Sequence, residues 1–530
     1  MPSVCSECGA FGVSTSNDFE FNLATLARLA QLSATNEPPR DAELSLIGSI
    51  VEKTSARLAA LDTEICRLKD RLEELEKERI ALSVYHAQNR RVLSPLRRLP
   101  PEILGEIFSW TLPSIHHPAF STTSCPWGLT YICRTWRAVA LSDPSLWSVI
   151  QIDFSAEEQY PRELVGLQME RAQSLEIHFV GCETVDSTPQ IATFTLLSEH
   201  SSRWEVLSIQ LTADLIPHLM AIRNGLTALR KAWVQWDTVK SQLPEFNSVD
   251  FFPMAISLVD IGVNSEYRFL RTRLPILNQL TRYDFDAPWD AHIQLLKSLP
   301  NLREVRIRRQ FDDDHGWPEL GESIKLLQLR RLYVNDPTIL AYLRAPALTE
   351  ITIGISEMKD TSRPLERLLT QSPCAPRKLR IEGLLDVQSM VEILQKHLSF
   401  NEIAITSTQD EDEDTQRGIL ANFLTLFTVL DFTPSAMISP HITEIDFACE
   451  KADAMLYPLF LNMLESRWNA QGSSLKAAEL FFPDPLACPD PKSIARAGKL
   501  REAGLRISLS SGDEAEARIA EWLLRTSWWV

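Results

Sequence analysis

No stretch of the 530 residues reaches the roughly 18 consecutive apolar positions that a membrane-spanning helix requires, so no membrane partner is expected. Basic residues are in the minority, 53 Lys and Arg against 70 Asp and Glu, which leaves a formal net charge of -17. Binding a phosphate backbone needs clustered cations; no nucleic-acid partner is expected, and a protein partner is the default. Cysteine is sparse, with nine residues scattered from Cys5 to Cys488. That scatter argues against a secreted disulfide framework and predicts thiols that are mostly reduced and buried. The opening MPSVCSECGAFG has neither a basic head nor an apolar core, so an intracellular protein, cytoplasmic or nuclear, is expected.

Signals for chemistry are also missing. There is no Walker loop, no GxGxxG after a strand, no nucleophile elbow and no HExxH pair. A non-enzyme without cofactor is expected, although dispersed carboxylates leave an acid-base site open. Cys5-Ser6-Glu7-Cys8 has the spacing of half a zinc site, but the next cysteine is Cys66. Asp312-Asp313-Asp314-His315 reads as an acidic turn before Gly316 and Pro318, so no metal is expected.

What is present begins with a heptad pattern. From Leu44 to Leu82 a three-four spacing of apolar residues is broken only by Thr54 and Arg79, behind the helix-blocking Pro38-Pro39. Residues 41–92 are therefore expected as a coiled-coil helix, and residues 1–40 as a disordered segment. With Leu58 at a, the g and e positions pair Arg57 with Asp62, Glu64 with Lys69 and Arg71 with Glu76, opposite in sign each time. This predicts a parallel homodimer through Leu44 to Leu82. The alternatives are a helix that folds back on its own protein, or a solvated rod with intrahelical pairs.

Next comes SPLRRLPPEILGEIF. Pro100 and Pro101 suit the first helical positions, Glu102 sits at the positive end of the dipole, and Ile103, Leu104, Ile107 and Phe108 repeat at helical spacing. A second helical pattern puts Leu129, Ile132, Cys133, Trp136, Val139 and Ala140 on one face. Ser142-Asp143-Pro144 ends it, and Leu146 and Trp147 fold back. The order Leu-Pro-Pro-Glu-Ile-Leu (99–104), Ile107-Phe108, Ile-Cys-Arg-Thr-Trp-Arg (132–137) and Asp-Pro-Ser-Leu-Trp (143–147) resembles the F-box. That resemblance implies a small helical domain over residues 94–150 that docks on a Skp-type adaptor, and through it a cullin. The adaptor-binding residues it implies are Leu99, Pro100, Ile103, Leu104 and Ile107, with Trp136 and Trp147 in packing. Residues 109–128 are longer than the compact family pattern; they read as an inserted loop, with His116, His117 and Cys125 as ordinary loop residues.

Beyond Phe154, short strands recur, each with an apolar residue three positions ahead: LPNLREVRI, LQLRRLYV, APALTEITI, APRKLRI, SPHITEIDF. Their aligned apolar positions are Tyr283, Val305, Leu332, Ile351, Leu379, Ile403 and Ile445, separated by 22, 27, 19, 28, 24 and 42 residues. LEIHFVG, WEVLSIQL, AWVQW and LRISL join the set, and DAHIQLLKSL and VQSMVEILQKHL read as intervening helices. The expected fold class is α/β, with residues 151–530 as an irregular leucine-rich-repeat-like solenoid. The acidic run Asp410 to Asp414 reads as a solvated loop, and RIAEWLLRTSWWV as a cap on the last repeat. Together with the F-box resemblance, this implies a substrate-recognition subunit of a Skp-cullin-F-box ubiquitin ligase with an unknown target protein. The alternative is a non-catalytic coiled-coil and solenoid interaction scaffold not coupled to ubiquitylation.

Overall fold

A computed structural model describes residues 23–35, 37–112, 125–155, 160–244, 248–265, 267–274, 278–311, 316–355, 360–383, 387–407, 413–429, 438–449, 456–484 and 489–525. Cys5 and Cys8, residues 312–315, His116, His117, the acidic positions 410–412, and Trp528 and Trp529 lie outside them. The chain divides into two compact units, the first ending at Leu99 and the second beginning at Pro100. That division falls inside the segment expected as one domain from 94 to 150.

In the first unit a single helix runs from Asp41 to Val92, and none of its 52 residues is buried. It starts after Pro38-Pro39, where the Arg40 amide donates to Glu43 Oε2 at 2.9 Å and Asp41 and Glu43 place acid in the first turn. Residues 1–40 were expected without order, yet Leu23–Ala34 form a helix. Its Arg28 donates to Glu43 Oε1 at 3.1 Å and pairs with Glu37, a link across residues that heptad reasoning does not inspect.

The second unit opens with the helix Pro101–Ser109, which starts at the expected proline. The following apolar pattern does not form one helix. Cys133 is extended (φ -160°, ψ 170°) and separates Leu129–Ile132 from Arg134–Ser142. Its Sγ accepts the Trp136 amide at 3.5 Å, acting as the cap of the second segment. The break turns Ile132 and Cys133 out to solvent, whereas Leu129, Val139 and Ala140 stay buried. Asp143 then caps the turn Pro144–Trp147 through the Ser145 amide, 3.0 Å. Trp147 is fully buried; its indole N–H donates to the Ala140 carbonyl at 2.7 Å, and the Arg171 guanidinium lies 4.3 Å over its ring. Gln168, on the helix Arg162–Arg171, donates to the Val149 carbonyl at 2.7 Å and to the Trp147 carbonyl at 3.4 Å, so this later helix holds the end of the short turn beside the first strand.

Fourteen strands follow in one sheet: Val149–Asp153, Leu175–Val180, Trp204–Leu211, Lys231–Trp236, Asp260–Val263, Arg282–Ala287, Glu304–Arg309, Arg331–Val334, Glu350–Ile355, Lys378–Gly383, Glu402–Thr406, Glu444–Ala448, Ala477–Phe482 and Arg506–Ser511. Their spatial order is their chain order, and every pairing among them is parallel. Parallel neighbours need a crossover, and amphipathic helices supply several of them: DAHIQLLKS lies in the helix Trp289–Ser298 and VQSMVEILQK is the helix Val387–Lys396. The aligned residues Tyr283, Val305, Leu332, Ile351, Leu379, Ile403 and Ile445 are direct register partners, and all are buried. The same line extends back through Ile261, Ala232, Leu207 and Ile177 to Ile150, and forward through Ala478 to Ile507. Helices cover this side: Phe194 packs on Phe179, His292 on Tyr283, and Phe460 on Phe447.

After the last strand the chain takes another course. Gly512 has φ 69° and ψ -149°, a conformation open essentially to glycine alone, and the helix Asp513–Trp522 begins there. Ala515, Ile519 and Trp522 cluster with Ala404, Ala448 and Phe481, which point to the side away from the crossover helices. The expected cap on the last repeat is thus only part of the arrangement, because the segment runs back across the sheet. Of the six described cysteines only Cys449 is buried, while Cys66 and Cys133 are exposed, so the expectation of mostly buried thiols fails. No helix among the described residues is long and apolar enough to cross a membrane.

Replacing Gly512 by valine forces a side chain into that torsion region. We expect a loss of about 1–3 kcal/mol, read as a lower thermal midpoint, whereas Gly498→Val in the open surface of its helix costs no more than about 1 kcal/mol.

Candidate interaction surfaces

The helix Pro101–Ser109 is divided lengthwise. Leu104 (2% exposed) and Phe108 turn inward, Phe108 meeting Trp136 at 4.9 Å between ring centroids. Ile103 (49%) and Ile107 (37%) turn outward, and Trp110 (83%), seven residues after Ile103, continues their stripe. Of the residues implied to bind an adaptor, Pro100 is exposed and Leu99 half-buried, and Leu104 belongs to the core of the small unit. At 100° per residue, Leu104 falls on the inner side of this helix while its neighbour Ile103 faces solvent. Trp136 is half-buried and Trp147 buried. Trp110 escaped sequence reading because it opens the stretch taken as a loop. Tyr131 and the displaced Ile132 add further exposed apolar surface on Leu129–Ile132.

Along Asp41–Val92, the seam residues Leu58, Leu61, Ile65, Leu68, Leu72 and Leu75 are all exposed. Two of the six flanking charges, Glu64 and Arg71, are engaged within the helix, and a further pair lies beside them. Glu64 pairs with Arg67 at 2.8 Å, Arg71 with Glu74 at 2.9 Å, and Lys77 with Glu73. Glu64 is held below its usual range by the Arg67 hydrogen bond. Such pairs at exposed positions contribute little, so the apolar seam dominates whatever this rod does.

The sheet side away from the crossover helices was not singled out from sequence. One residue before each aligned apolar position, the rungs read Asp260, Arg282, Glu304, Arg331, Glu350, Lys378, Glu402 and Glu444. Cations and carboxylates alternate through Lys378, and Arg282 and Arg331 each reach the carboxylates on both sides. Arg331 reaches Glu304 and Glu350 at 3.3 Å, Arg380 reaches Glu350 at 2.9 Å, and Lys378 reaches Glu402. The next inward rungs include Asp284, Arg306 and Tyr333. Arg306 pairs with Asp284 at 3.5 Å and lies 4.3 Å over the Tyr333 ring, whose hydroxyl donates to Glu382 Oε2 at 2.6 Å. Burial, and then the Glu382 charge, raise the Tyr333 phenol. This lattice was legible in principle, as an alternation of sign at a fixed offset from the apolar ladder.

Between this lattice and the helix Asp513–Trp522 lies a cleft of about 160 Å³, lined by Arg331, Lys378, Arg380, Asp446, Arg518 and Trp522 among others. Asp446 is buried within it. Burial, with Glu444 and Glu479 adding repulsion, pushes its carboxyl well above the usual carboxylate range, while its Oδ1 accepts the Glu479 amide at 3.0 Å. Among the described residues, no group of three or more His, Cys, Asp and Glu is arranged to hold a metal ion. No protein-family model matches the chain, and no curated protein matches it.

The raised carboxyl gives a signed expectation. A group whose folded pKa lies above its unfolded value favours the fold while protonated, and that contribution disappears as pH rises through the folded pKa. Asp446→Asn keeps the acceptor for the Glu479 amide and removes the charge. It should raise the thermal midpoint, by more at pH 8 than at pH 5; an equal or opposite effect at the two values contradicts the assignment.

Proposed function

We propose that this chain is the substrate-recognition subunit of a Skp-cullin-F-box type ubiquitin ligase. The observation that carries the reading is the divided helix: within the motif order that resembles an F-box, Leu104, Phe108, Trp136 and Trp147 close a small core while Ile103, Ile107 and Trp110 remain outside it. An apolar stripe left facing water is costly without a partner to cover it. The adaptor face becomes Pro100, Ile103, Ile107 and Trp110, without Leu104. In this reading the chain is no enzyme and needs no cofactor. It works by proximity, holding a target protein where a ubiquitin-charged enzyme is at high effective concentration, in the cytoplasm or nucleus.

The region from Val149 onward is read as a leucine-rich-repeat-like solenoid. Sequential parallel strands with one apolar residue per strand in register support this. So does a distance argument. Residues 518–524 touch Glu479 at one end and Arg282 at the other, seven strands apart. At ~4.8 Å per strand that is about 34 Å along a flat sheet. Seven helical residues span only about 10 Å. The arginine side chains at the two ends do not fill the difference, which favours a sheet curved around the segment.

A second reading, a coiled-coil and solenoid scaffold not coupled to ubiquitylation, draws on the uncovered seam from Leu44 to Leu82, because assembly alone gives it a use. Purification of the tagged chain with adaptor and cullin separates the two. Recovery of both is expected for the receptor; adaptor without cullin favours the scaffold, and no adaptor ends the receptor reading. Ile103→Asp/Ile107→Asp should reduce adaptor recovery more than ten-fold with unchanged circular dichroism, whereas Leu104→Asp should lower the thermal midpoint. For the parallel homodimer, the full chain should sediment at twice its 60.1 kDa mass and Leu61→Asp/Leu68→Asp at once that mass; a monomeric wild type removes the dimer.

A further inference from the structure

The helix Asp513–Trp522 and the residues after it rest on the polar side of the sheet in a way that resembles a bound ligand. A helix ends with carbonyls that have no partner within it. Here side chains of successive strands meet them. Arg331 Nη2 donates to the Glu521 carbonyl at 3.0 Å, Thr352 Oγ1 to Trp522 at 3.0 Å, Arg306 Nε to Leu523 at 2.9 Å, and Arg282 Nη2 to Leu524 at 2.9 Å. Beyond them Arg525 donates to Glu382 at 2.8 Å. Four of these five contacts read main chain, so they recognise a helix end whatever its sequence. Selectivity falls to the apolar contacts of Ile519, Trp522, Leu523 and Leu524 with Tyr333, Ala404, Ala448 and Phe481, and to the cation at 525.

Two features set this segment apart from the core. The cations beneath it keep partners of their own: Arg306 has Asp284, Arg331 has Glu304 and Glu350, and Arg282 has Asp260. Removing the segment therefore leaves these three cations paired, whereas Glu382 and Glu479 lose Arg525 and Arg518 and call for a cation from whatever takes the segment's place. Leu524 also sits at φ 53°, a left-handed conformation that costs a leucine and would suit glycine, so the seat is filled by a residue that fits it imperfectly.

We propose that the polar side of the sheet between Arg282 and Phe481 is a docking surface for an amphipathic helical segment of a partner protein, one whose last turn carries bulky apolar residues followed by Arg or Lys, and that residues 513–525 are its resident occupant, displaced when that segment arrives. The inference goes beyond the receptor reading and does not depend on adaptor binding. It names the chemistry a target would present, and it holds equally for a scaffold.

The test uses the full chain and a fluorescent peptide of residues 512–525, GDEAEARIAEWLLR, as the incoming segment. In the full-length Trp522→Asp/Leu523→Asp variant the resident segment should leave its seat, so the peptide should bind this variant at least ten-fold tighter than wild type by anisotropy. Adding Arg306→Ala and Glu382→Ala to that variant should cost at least ten-fold, and the peptide with its final Arg changed to Glu should bind correspondingly weaker. Amide exchange supplies the second measurement: in wild type, residues 515–525 should exchange at least ten-fold faster than Leu379–Ile381. Equal exchange rates, or loss of strand protection in the variant, would make the segment part of the core and overturn the proposal. A folded variant that binds the peptide no better than wild type overturns it as well.

Discussion

Parallel pairing is the constraint on which the second unit depends. Two parallel strands cannot be joined by a tight turn, so each of the fourteen but the last must be followed by a connection that leaves the sheet and returns to the growing edge. One apolar residue per strand, from Ile150 to Ile507, meets its counterparts in a continuous buried line and holds the register. A slip of a single position would carry that line to the opposite side and bring a charged residue such as Arg331 or Glu350 under the helices. The penalty for burying those charges keeps the strands in place as firmly as the gain from burying their neighbours.

The two sides of the sheet consequently follow different physics. Under the crossover helices, interdigitated aliphatic and aromatic side chains leave little room for change. The opposite side is held by shared ion pairs, some part-exposed, as between Arg331 and Glu304, and some buried, as between Arg306 and Asp284. Gly512 then decides which side the final described helix covers. The result is a polar surface that carries a short apolar strip where Phe481, Ala448, Ala404 and Tyr333 meet the segment 515–524.

Much of this was legible in the sequence because burial imposes a period. Strands with residues such as Ile351 and Ile353 repeat every second position, and the aligned positions chosen from spacing alone turn out to be register partners. The divided helix was legible only in part: spacing placed Ile103, Leu104 and Ile107 on one broad stripe, and it takes the partners Phe108 and Trp136 to tell inside from outside. The break at Cys133 was hidden because a cysteine acting as a helix cap has no sequence signature apart from its burial-prone character. The course after Ser511 was hidden for a related reason. A glycine before an amphipathic helix looks the same whether the helix goes to one side or the other, and the torsion that distinguishes them is not encoded in hydrophobic period.

The line of register partners also separates two quantities that usually change together. Because each strand is positioned by its neighbours rather than by the length of chain leading to it, the steps from 19 to 42 residues between Leu332 and Ile445 leave the spacing of the rungs untouched. The connections are free to gain or lose residues, and loop-closure entropy rises by only about 0.6 kcal/mol for each doubling of length. The acidic stretch 410–414 lies in the longest of these steps. New chemistry can therefore be added at one rung without disturbing the adjacent ones, which lets such a sheet diverge loop by loop while its ladder stays constant.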